Sequence, residues 1–479
     1  MKANRRNFLK TAALGTGLMA TSLTGCKSGS SNGVHPGWEK RTQRFNMCGY
    51  RAPALDVVRV GFIGLGMRGP GAVQRMMNIE GVEIAALGDK YSDRVENVQQ
   101  RLDRYGLSRA KDYGGTEDAW KGMCEDPDID LIYICTPWET HTPMSVYAME
   151  NGKHVGVELP AALTVEEAWQ LVETSERTKK HCMMLGNCCY DFFELLTLNM
   201  ARHGFFGDII HGEGAYIHDL IDWHTNKDGY ADMWRLKANT QKGNLYPTHG
   251  LGPISQIMNI NRGDRFDYMN AMESNDYNLG PRVDELAKED DFFVPFAEKS
   301  YKGNMNTSTI RTVKGRTIVI QHDVASPRPY SRIHLISGSK AFARKWPSPA
   351  RVAIGHSWLN DEQMAEIEEK YTPEIVKRVG DMARKVGGHG GMDFMMDWRL
   401  IDCLRNGLPL DQDVYDAASW SVIAPLSTWS VKNRSNSIDI PDFTCGSWKS
   451  NTPVDISLKE GGSTGVRLLE EKDDVQLDV

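Results

Sequence analysis

The stretch Val57 to Gly71, VVRVGFIGLGMRGPG, narrows what this chain can fold into more than any other. An apolar, β-branched run breaks into Gly64-Leu65-Gly66-Met67-Arg68-Gly69, which reads as a strand turning into a helix. At this spacing Gly64 permits a tight turn and Gly66 lets the backbone approach a pyrophosphate. Gly69 lets the helix pack closely on the strand, with its N-terminal N–H groups facing the phosphates. A glycine-rich turn also occurs in plain loops, so the reading needs a second element.

That element is the run Val82 to Leu87, which ends in Gly88-Asp89, twenty-five residues past Gly64. A dinucleotide-binding fold places an acid there for the adenosine ribose hydroxyls. Asp89 points to NAD rather than NADP, because a carboxylate repels a 2′-phosphate, although Lys90 and Arg68 are cations that soften this. Helical patterns from about Gly71 to Ile79 and from Asp93 to Tyr105 separate these runs from each other and from Asp130 to Cys135. Continuous apolar runs punctuated by helices indicate a parallel sheet covered on both faces. The fold class is therefore α/β, with an N-terminal Rossmann domain over 56–186.

A chain of 479 residues with 41% hydrophobic residues is long enough for two domains with substantial cores. The formal net charge of −7, without a basic run past the N-terminus, excludes a phosphate-backbone binder, so no nucleic acid is expected. Asn4-Arg5-Arg6-Asn7-Phe8-Leu9-Lys10 resembles a twin-arginine export signal, and Leu23-Thr24-Gly25-Cys26 resembles a lipobox whose Cys26 is acylated. The apolar stretch between them is too short and too rich in Gly and Thr to span a bilayer. The expectation is an exported protein, lipid-anchored at the periplasmic face or cell envelope and touching membrane only through that anchor. The divisions read as signal 1–26, tether and N-terminal arm 27–55, Rossmann domain 56–186, second domain 187–455 and a loosely ordered tail 456–479. Apart from Cys26 the cysteines follow neither a disulfide framework nor a CxxC spacing and read as buried thiols. His218, Asp219, Asp222 and His224 match no common zinc spacing, so no metal is expected and the segment reads as a polar loop near the substrate.

The run ending at Cys135 opens into Thr136-Pro137-Trp138-Glu139-Thr140-His141, and Gly152 to Val157 opens into Glu158-Leu159-Pro160. This series resembles the glucose-fructose oxidoreductase / inositol dehydrogenase / MocA family, where a GKHV strand ends in Glu-Lys-Pro beside the nicotinamide. Leu159 stands where those dehydrogenases carry lysine, a departure from the plain sugar dehydrogenase pattern. Further on, NCCYDF, MWRL, GNLYPTHGLGP, SPRPYSR and HGGMDFMMDWRL occur in that order. Together they resemble the NAD-dependent glycosidases of the α-N-acetylgalactosaminidase type, glycoside hydrolase family 109, from about Phe45 to about Trp448.

The resemblance implies a C-terminal α+β domain with a large open, mostly antiparallel sheet. It implies NAD held by Gly64, Gly66, Met67, Arg68, Asp89, Trp138, Glu139, Thr140, His141, Glu158, Leu159 and Asn187. It implies a sugar site made of Tyr216, Arg235, Tyr246, Pro247, Thr248, His249 and Tyr330. Chemistry points to His249 for proton transfer, since imidazole titrates near neutrality and a Pro-containing turn would aim it. Tyr246 donates to a sugar oxygen or, with a lowered pKa, acts as a base. The implied activity is hydrolysis of terminal N-acetylgalactosaminides, α-linked, by oxidation at C3, elimination, water addition and reduction without net redox. The alternative is an exported NAD(P)-dependent sugar oxidoreductase with a captive cofactor. The substrate is a small molecule or glycan with a terminal N-acetylhexosamine, and a homo-oligomer is expected. Gly387 to Gly391 reads as a mobile flap that brings His389 to the site, and the helical Met392 to Leu404 as packing or a subunit contact.

Overall fold

A computed structural model describes residues 41–453 and 455–471. The export signal, Cys26 and the tether up to His35 lie outside the described residues. The first sheet has six strands: β1 (Val58–Ile63), β2 (Val82–Gly88), β3 (Lys111–Asp112), β4 (Leu131–Ile134), β5 (His154–Val157) and β6 (Cys182–Met184). They lie in the order β3-β2-β1-β4-β5-β6 and all pair parallel. This is the doubly wound order whose ligand crevice opens past the C-terminal ends of β1 and β4, where the strand order reverses. β4 and β5 are buried along their whole length, as helices on both faces require.

The second sheet has nine strands, in the order β14-β13-β12-β11-β7-β10-β9-β8-β15. They are β7 (Ile209–Ile217), β8 (Phe266–Glu273), β9 (Asn306–Thr312), β10 (Thr317–Asp323), β11 (Leu335–Gly338), β12 (Ala341–Arg344), β13 (Arg351–Ile354), β14 (Ser357–Trp358) and β15 (Ile438–Asp439). Only β7 and β10 pair parallel; the other neighbours are antiparallel. The alternation of buried and open residues along β9 marks a sheet covered on one face. The helices Thr248–Ile257 and Ile423–Lys432 pack on that face. On the other, Met272, Tyr268, Arg311 and Trp358 remain open.

One contact sets where the site falls. A Cβ on Gly214 of β7 would stand 2.5 Å from the Gly250 carbonyl oxygen, and one on Gly250 would stand 2.3 Å from Ala215 N. Only two glycines allow the helix Thr248–Ile257 to approach β7 this closely.

The two domains interleave rather than meet at one boundary. The chain leaves the first sheet through the short helix Asn187–Tyr190, as expected, but the helix Met392–Asn406 returns to pack against the helix Gly69–Met76 and β1. Asp397 takes Arg75 Nε–H at 2.6 Å and the Tyr133 hydroxyl at 2.8 Å in a fully buried junction. Met392–Leu404 is thus packing inside one chain, not a subunit contact. The arm is also pinned: Arg41 meets Glu173 and Glu166, each at 2.6 Å, and Gln43 donates to the Tyr415 hydroxyl at 2.7 Å.

The loosely ordered tail is corrected for residues 462–469. Trp398 Nε1–H donates to Thr464 O at 3.1 Å, Glu80 N–H to Gly465 O at 3.0 Å and Arg467 N–H to Asn78 O at 3.0 Å. This segment stitches the Rossmann helix end to the returning helix. At its start, Gly461 and Gly462 permit left-handed turns. All eight described cysteines are free thiols, and Cys124, Cys182, Cys188, Cys189 and Cys403 are buried.

Candidate active site

A cleft of about 1280 Å³ runs from the end of β2, past the glycine turn, to the helix carrying His249. The three glycines serve three purposes. Gly64 has φ +91°, and a Cβ there would lie 2.7 Å from the Cys135 carbonyl carbon. A Cβ on Gly69 would lie 2.1 Å from Gly64 O, so the helix sits directly on the turn. A Cβ on Gly66 would meet nothing closer than Arg94 Nη1 at 3.4 Å, which leaves the space a pyrophosphate needs before the free N–H groups of the helix Gly69–Met76. The cradle therefore fits a dinucleotide.

At the adenosine end Asp89 accepts from Leu65 N–H at 2.8 Å and Tyr91 N–H at 3.0 Å. The Arg94 guanidinium lies over the Tyr91 ring at 4.6 Å and 3.5 Å from Asp89, giving a flat cationic face. Lys90 reaches across the cleft to Asp232 of the second domain at 2.9 Å.

At the other end Arg68 Nε–H donates to Glu158 at 2.9 Å, and Arg68 Nη1 stands 3.3 Å from Asp393. Asp393, on the returning helix, also accepts from Asn187 Nδ2 at 2.6 Å and from His389 Nδ1 at 2.9 Å. Burial opposes ionisation of Asp393, but His389, Arg68 and Arg75 overcome it and hold the carboxyl far below its usual range.

The wall opposite is aromatic. Trp138 stacks on Tyr246 with ring centroids 5.7 Å apart and 17° between planes, and the Arg235 guanidinium covers both rings at 4.8 and 5.0 Å. Tyr216 packs 4.9 Å from Tyr246 and 5.2 Å from the His249 imidazole. His249 is enclosed: burial first, then the Arg332, His389 and Arg68 charges, push its pKa well below the ordinary imidazole value, so the ring is neutral at pH 7. Burial drives the Tyr246 phenol well above its usual value, against the Arg235 charge. The phenol therefore keeps its proton, in contrast to the lowered pKa that a base at this position needs.

All the cofactor residues named from the sequence line this one cleft, and so do Tyr216, Arg235, Tyr246 and His249. His141 reaches it in a different role. Its Nδ1 faces Pro160 O at 2.7 Å and its Nε2 faces Thr136 O at 2.8 Å, so the ring braces two strand-end loops and has no nitrogen left for a ligand. Pro247, Thr248 and Tyr330 are not among the lining residues. Pro247 and Thr248 start the helix Thr248–Ile257, so His249 sits in its first turn, not in a loop turn. Tyr330 stands one ring back, with its centroid 5.1 Å from His218 and 6.4 Å from Tyr216.

His218 lines the cleft, where its polar loop was expected near the sugar, whereas sequence reasoning passed over Tyr230 and Trp234 as lining residues and Asp393 as the junction. The spacing of His389 and Asp393, four apart at a helix start, was the available signal for the last. His389 itself lies at the cleft mouth on a turn where Gly387 to Gly391 all have positive φ. It is held by Asp393 rather than left as a free flap.

A Rossmann domain whose crevice opens onto an aromatic, histidine-bearing wall defines a dinucleotide-dependent enzyme acting on a polyhydroxylated substrate. Residues 58–185 match the oxidoreductase family with NAD-binding Rossmann fold, and residues 190–450 match the C-terminal domain of glycosyl hydrolase 109. A glycosyl hydrolase family 109 protein of Porphyromonas gingivalis is 50% identical over 413 residues, 83% of this chain and 86% of that protein. An alpha-N-acetylgalactosaminidase of Bacteroides fragilis is 48% identical over 419 residues, 86% of this chain and 97% of that protein. Among solved structures, a levoglucosan dehydrogenase in complex with NADH has a TM-score of 0.59 at 17% identity, covering 80% of this chain and 99% of that one. That likeness is one of fold. The chain belongs to glycosyl hydrolase family 109: it is an NAD-dependent glycoside hydrolase.

Proposed function

We propose that this enzyme removes terminal, α-linked N-acetylgalactosamine by a redox-neutral cycle through a 3-keto sugar. The observation that carries the reading is the Trp138–Tyr246 stack, which joins the cofactor loop to the wall bearing His249, Tyr216 and Arg235. That wall offers phenol, imidazole and guanidinium groups in place of the two facing carboxylates a direct displacement uses. The name of the Bacteroides fragilis relative supports the sugar.

Bound NAD supplies reversible oxidation of the sugar at C3, which makes the C2 hydrogen acidic. The chain does the rest. Tyr246 donates a hydrogen bond to the sugar oxygen, with Arg235 over its ring favouring developing negative charge. His249, neutral and enclosed, accepts the O3 proton as the hydride leaves C3 and returns it when the ketone is reduced. His389, oriented through Nδ1 by Asp393, presents Nε2 at the mouth, where the C1 substituent leaves and water enters. It takes the C2 proton and passes it to the departing oxygen, then draws a proton from the entering water and returns it to C2. Since oxidation and reduction cancel, the cofactor need never leave.

Hydrolysis of a nitrophenyl N-acetylgalactosaminide in D2O tests this: deuterium appears at C2 of the released sugar, with no net NADH. Release without C2 exchange and without an isotope effect at C2 or C3 excludes the cycle. Stoichiometric NADH instead favours the sugar oxidoreductase reading. We further propose export as a lipid-anchored protein at the periplasmic face or cell envelope, supported by Asn4 to Lys10 and Leu23 to Cys26. Loss of lipid labelling in Cys26→Ala is the expected result. A homo-oligomer is proposed through the uncovered face of the nine-stranded sheet.

A further inference from the structure

The Rossmann domain lines the cleft with three cations, Arg68, Lys90 and Arg94, and each faces an acid. Arg68 is drawn to the far end by Glu158 at 2.9 Å and Asp393 at 3.3 Å. Arg94 stands 3.5 Å from Asp89, the acid at the ribose position. Lys90 follows that acid directly in the chain, which puts it beside the ribose 2′-position, where a nearby cation accommodates a 2′-phosphate. Its ammonium instead donates to Asp232 of the second domain at 2.9 Å, with Glu117 3.8 Å away. The bond to Asp232 raises the Lys90 pKa and the same bond lowers that of Asp232, so both groups are ionised at pH 7.

A pair as open to solvent as this one contributes little by itself, because water competes for both charges. What fixes it is the backbone beneath Asp232. Asp232 at φ +56° and Met233 at φ +51° both lie in the left-handed region, which methionine takes rarely. Their turn is anchored on both sides. Met233 is buried with Leu236, Leu279 and Phe293, while Tyr230 packs on Trp234, and Trp234 on Trp138 of the cofactor loop, each pair at 5.3 Å between ring centroids. The Asp232 carboxylate is therefore held over the adenosine end by packing, not by Lys90 alone.

We infer that Asp232 is a specificity-determining residue for the cofactor: by engaging Lys90 and adding negative charge near the ribose 2′-position, it makes the second domain select NAD against NADP alongside Asp89. A 2′-phosphate arriving there meets the carboxylates of Asp89 and Asp232 and finds each cation of the Rossmann wall already turned to an acid. Dinucleotide selection is thus shared between the domains. It is independent of the sugar and of the reaction proposed above.

The test is a competition on the full-length holoenzyme. It is warmed, below its melting temperature, with equal amounts of NAD and NADP until the bound fractions are constant, then gel-filtered and denatured, and the released dinucleotides are separated by chromatography. Wild type should retain NAD. Asp232→Asn should raise the bound NADP-to-NAD ratio about five- to tenfold, the scale of one solvent-exposed charge interaction, and adding Lys90→Met should bring the ratio back near the wild-type value. Asparagine adopts the left-handed region readily, so the turn survives. Asp232→Gly, which takes the same backbone angle, replaces it if the asparagine variant does not melt like wild type. An unchanged ratio in a folded Asp232 variant, or a rise that Lys90→Met leaves in full, overturns the assignment.

Discussion

The imidazole of His249 stands in the first turn of its helix with Nδ1 buried and unpartnered, and Tyr216 against its face at 5.2 Å. A ring kept neutral by enclosure serves as a base at pH 7 without first having to lose a proton. His249→Ala should therefore lower turnover of a nitrophenyl N-acetylgalactosaminide by about 10²- to 10⁴-fold, the range for removing a positioned acid or base. Bound NAD, measured by absorbance after denaturation, should stay near one per chain; parallel loss of both would move His249 to the cofactor side. Asp89 gives the complementary case. It holds Leu65 N–H and Tyr91 N–H as well as facing the ribose position, so Asp89→Ala loosens the turn and the cofactor together. NAD content after gel filtration should fall well below that of wild type, and equal content would remove Asp89 from the site. These residues were legible because dinucleotide turns have fixed spacing. The bracing role of His141 was not, because its partners, Pro160 and Thr136, are decided by how two strand ends meet.

At the scale of elements, the approach of the helix Thr248–Ile257 to β7 rests on Gly214 and Gly250. Adding a methyl at Gly250 forces it against Ala215 N at 2.3 Å, and overpacking of this kind costs about 1 to 3 kcal/mol. Gly250→Ala should lower the melting temperature and separate His249 from Tyr216, so turnover falls by more than the loss of folded protein explains. A variant with wild-type turnover per folded molecule would show the contact to be unimportant. Further along the chain, β5 and the residue before β6 bring His154 and His181 together, with ring centroids 5.2 Å apart. His181 N–H donates to His154 Nδ1 at 3.1 Å. Burial pushes His154 well below its ordinary pKa and His181 down to about 4. Above pH 6.5 neither the folded nor the unfolded chain protonates them, and their full contribution is present. As pH falls from about 6.5 toward 4, the unfolded chain takes up protons that the folded chain refuses, so stability is lost. The melting temperature should drop through that window, and His181→Phe should flatten the drop; an unchanged slope would assign the acid sensitivity elsewhere.

Across the whole molecule, the interleaving of domains makes the C-terminal segment structural. Residues 462–467 hydrogen-bond to Asp402, Trp398, Glu80 and Asn78, so they clasp the returning helix and the Rossmann domain at once. Truncation after Glu460 should give a chain that melts several degrees lower or is recovered insoluble. A full-length melting curve from the shorter chain would contradict the clasp. The uncovered face of the nine-stranded sheet carries the Phe342–Trp358 pair with Arg344 over it, and light scattering should report an even-numbered oligomer. Trp358→Asp should shift the mass toward the monomer, and a monomeric wild type would dismiss the proposal.

What the sequence determined by itself was the local and the periodic: a parallel sheet from buried apolar runs, a dinucleotide turn from Gly64, Gly66 and Gly69, and helices such as the one expected from Asp93 to Tyr105 and found at Ser92–Arg104. These follow from backbone sterics and hydrogen bonding within a few residues. Only the tertiary structure decided that Asp393 joins Arg68, Asn187 and His389, that Tyr330 stands behind Tyr216, and that a glycine-interrupted tail is firmly packed. Each of those depends on groups far apart in the chain meeting where their polar atoms would otherwise be buried unpaired, and no local pattern encodes which distant partner arrives.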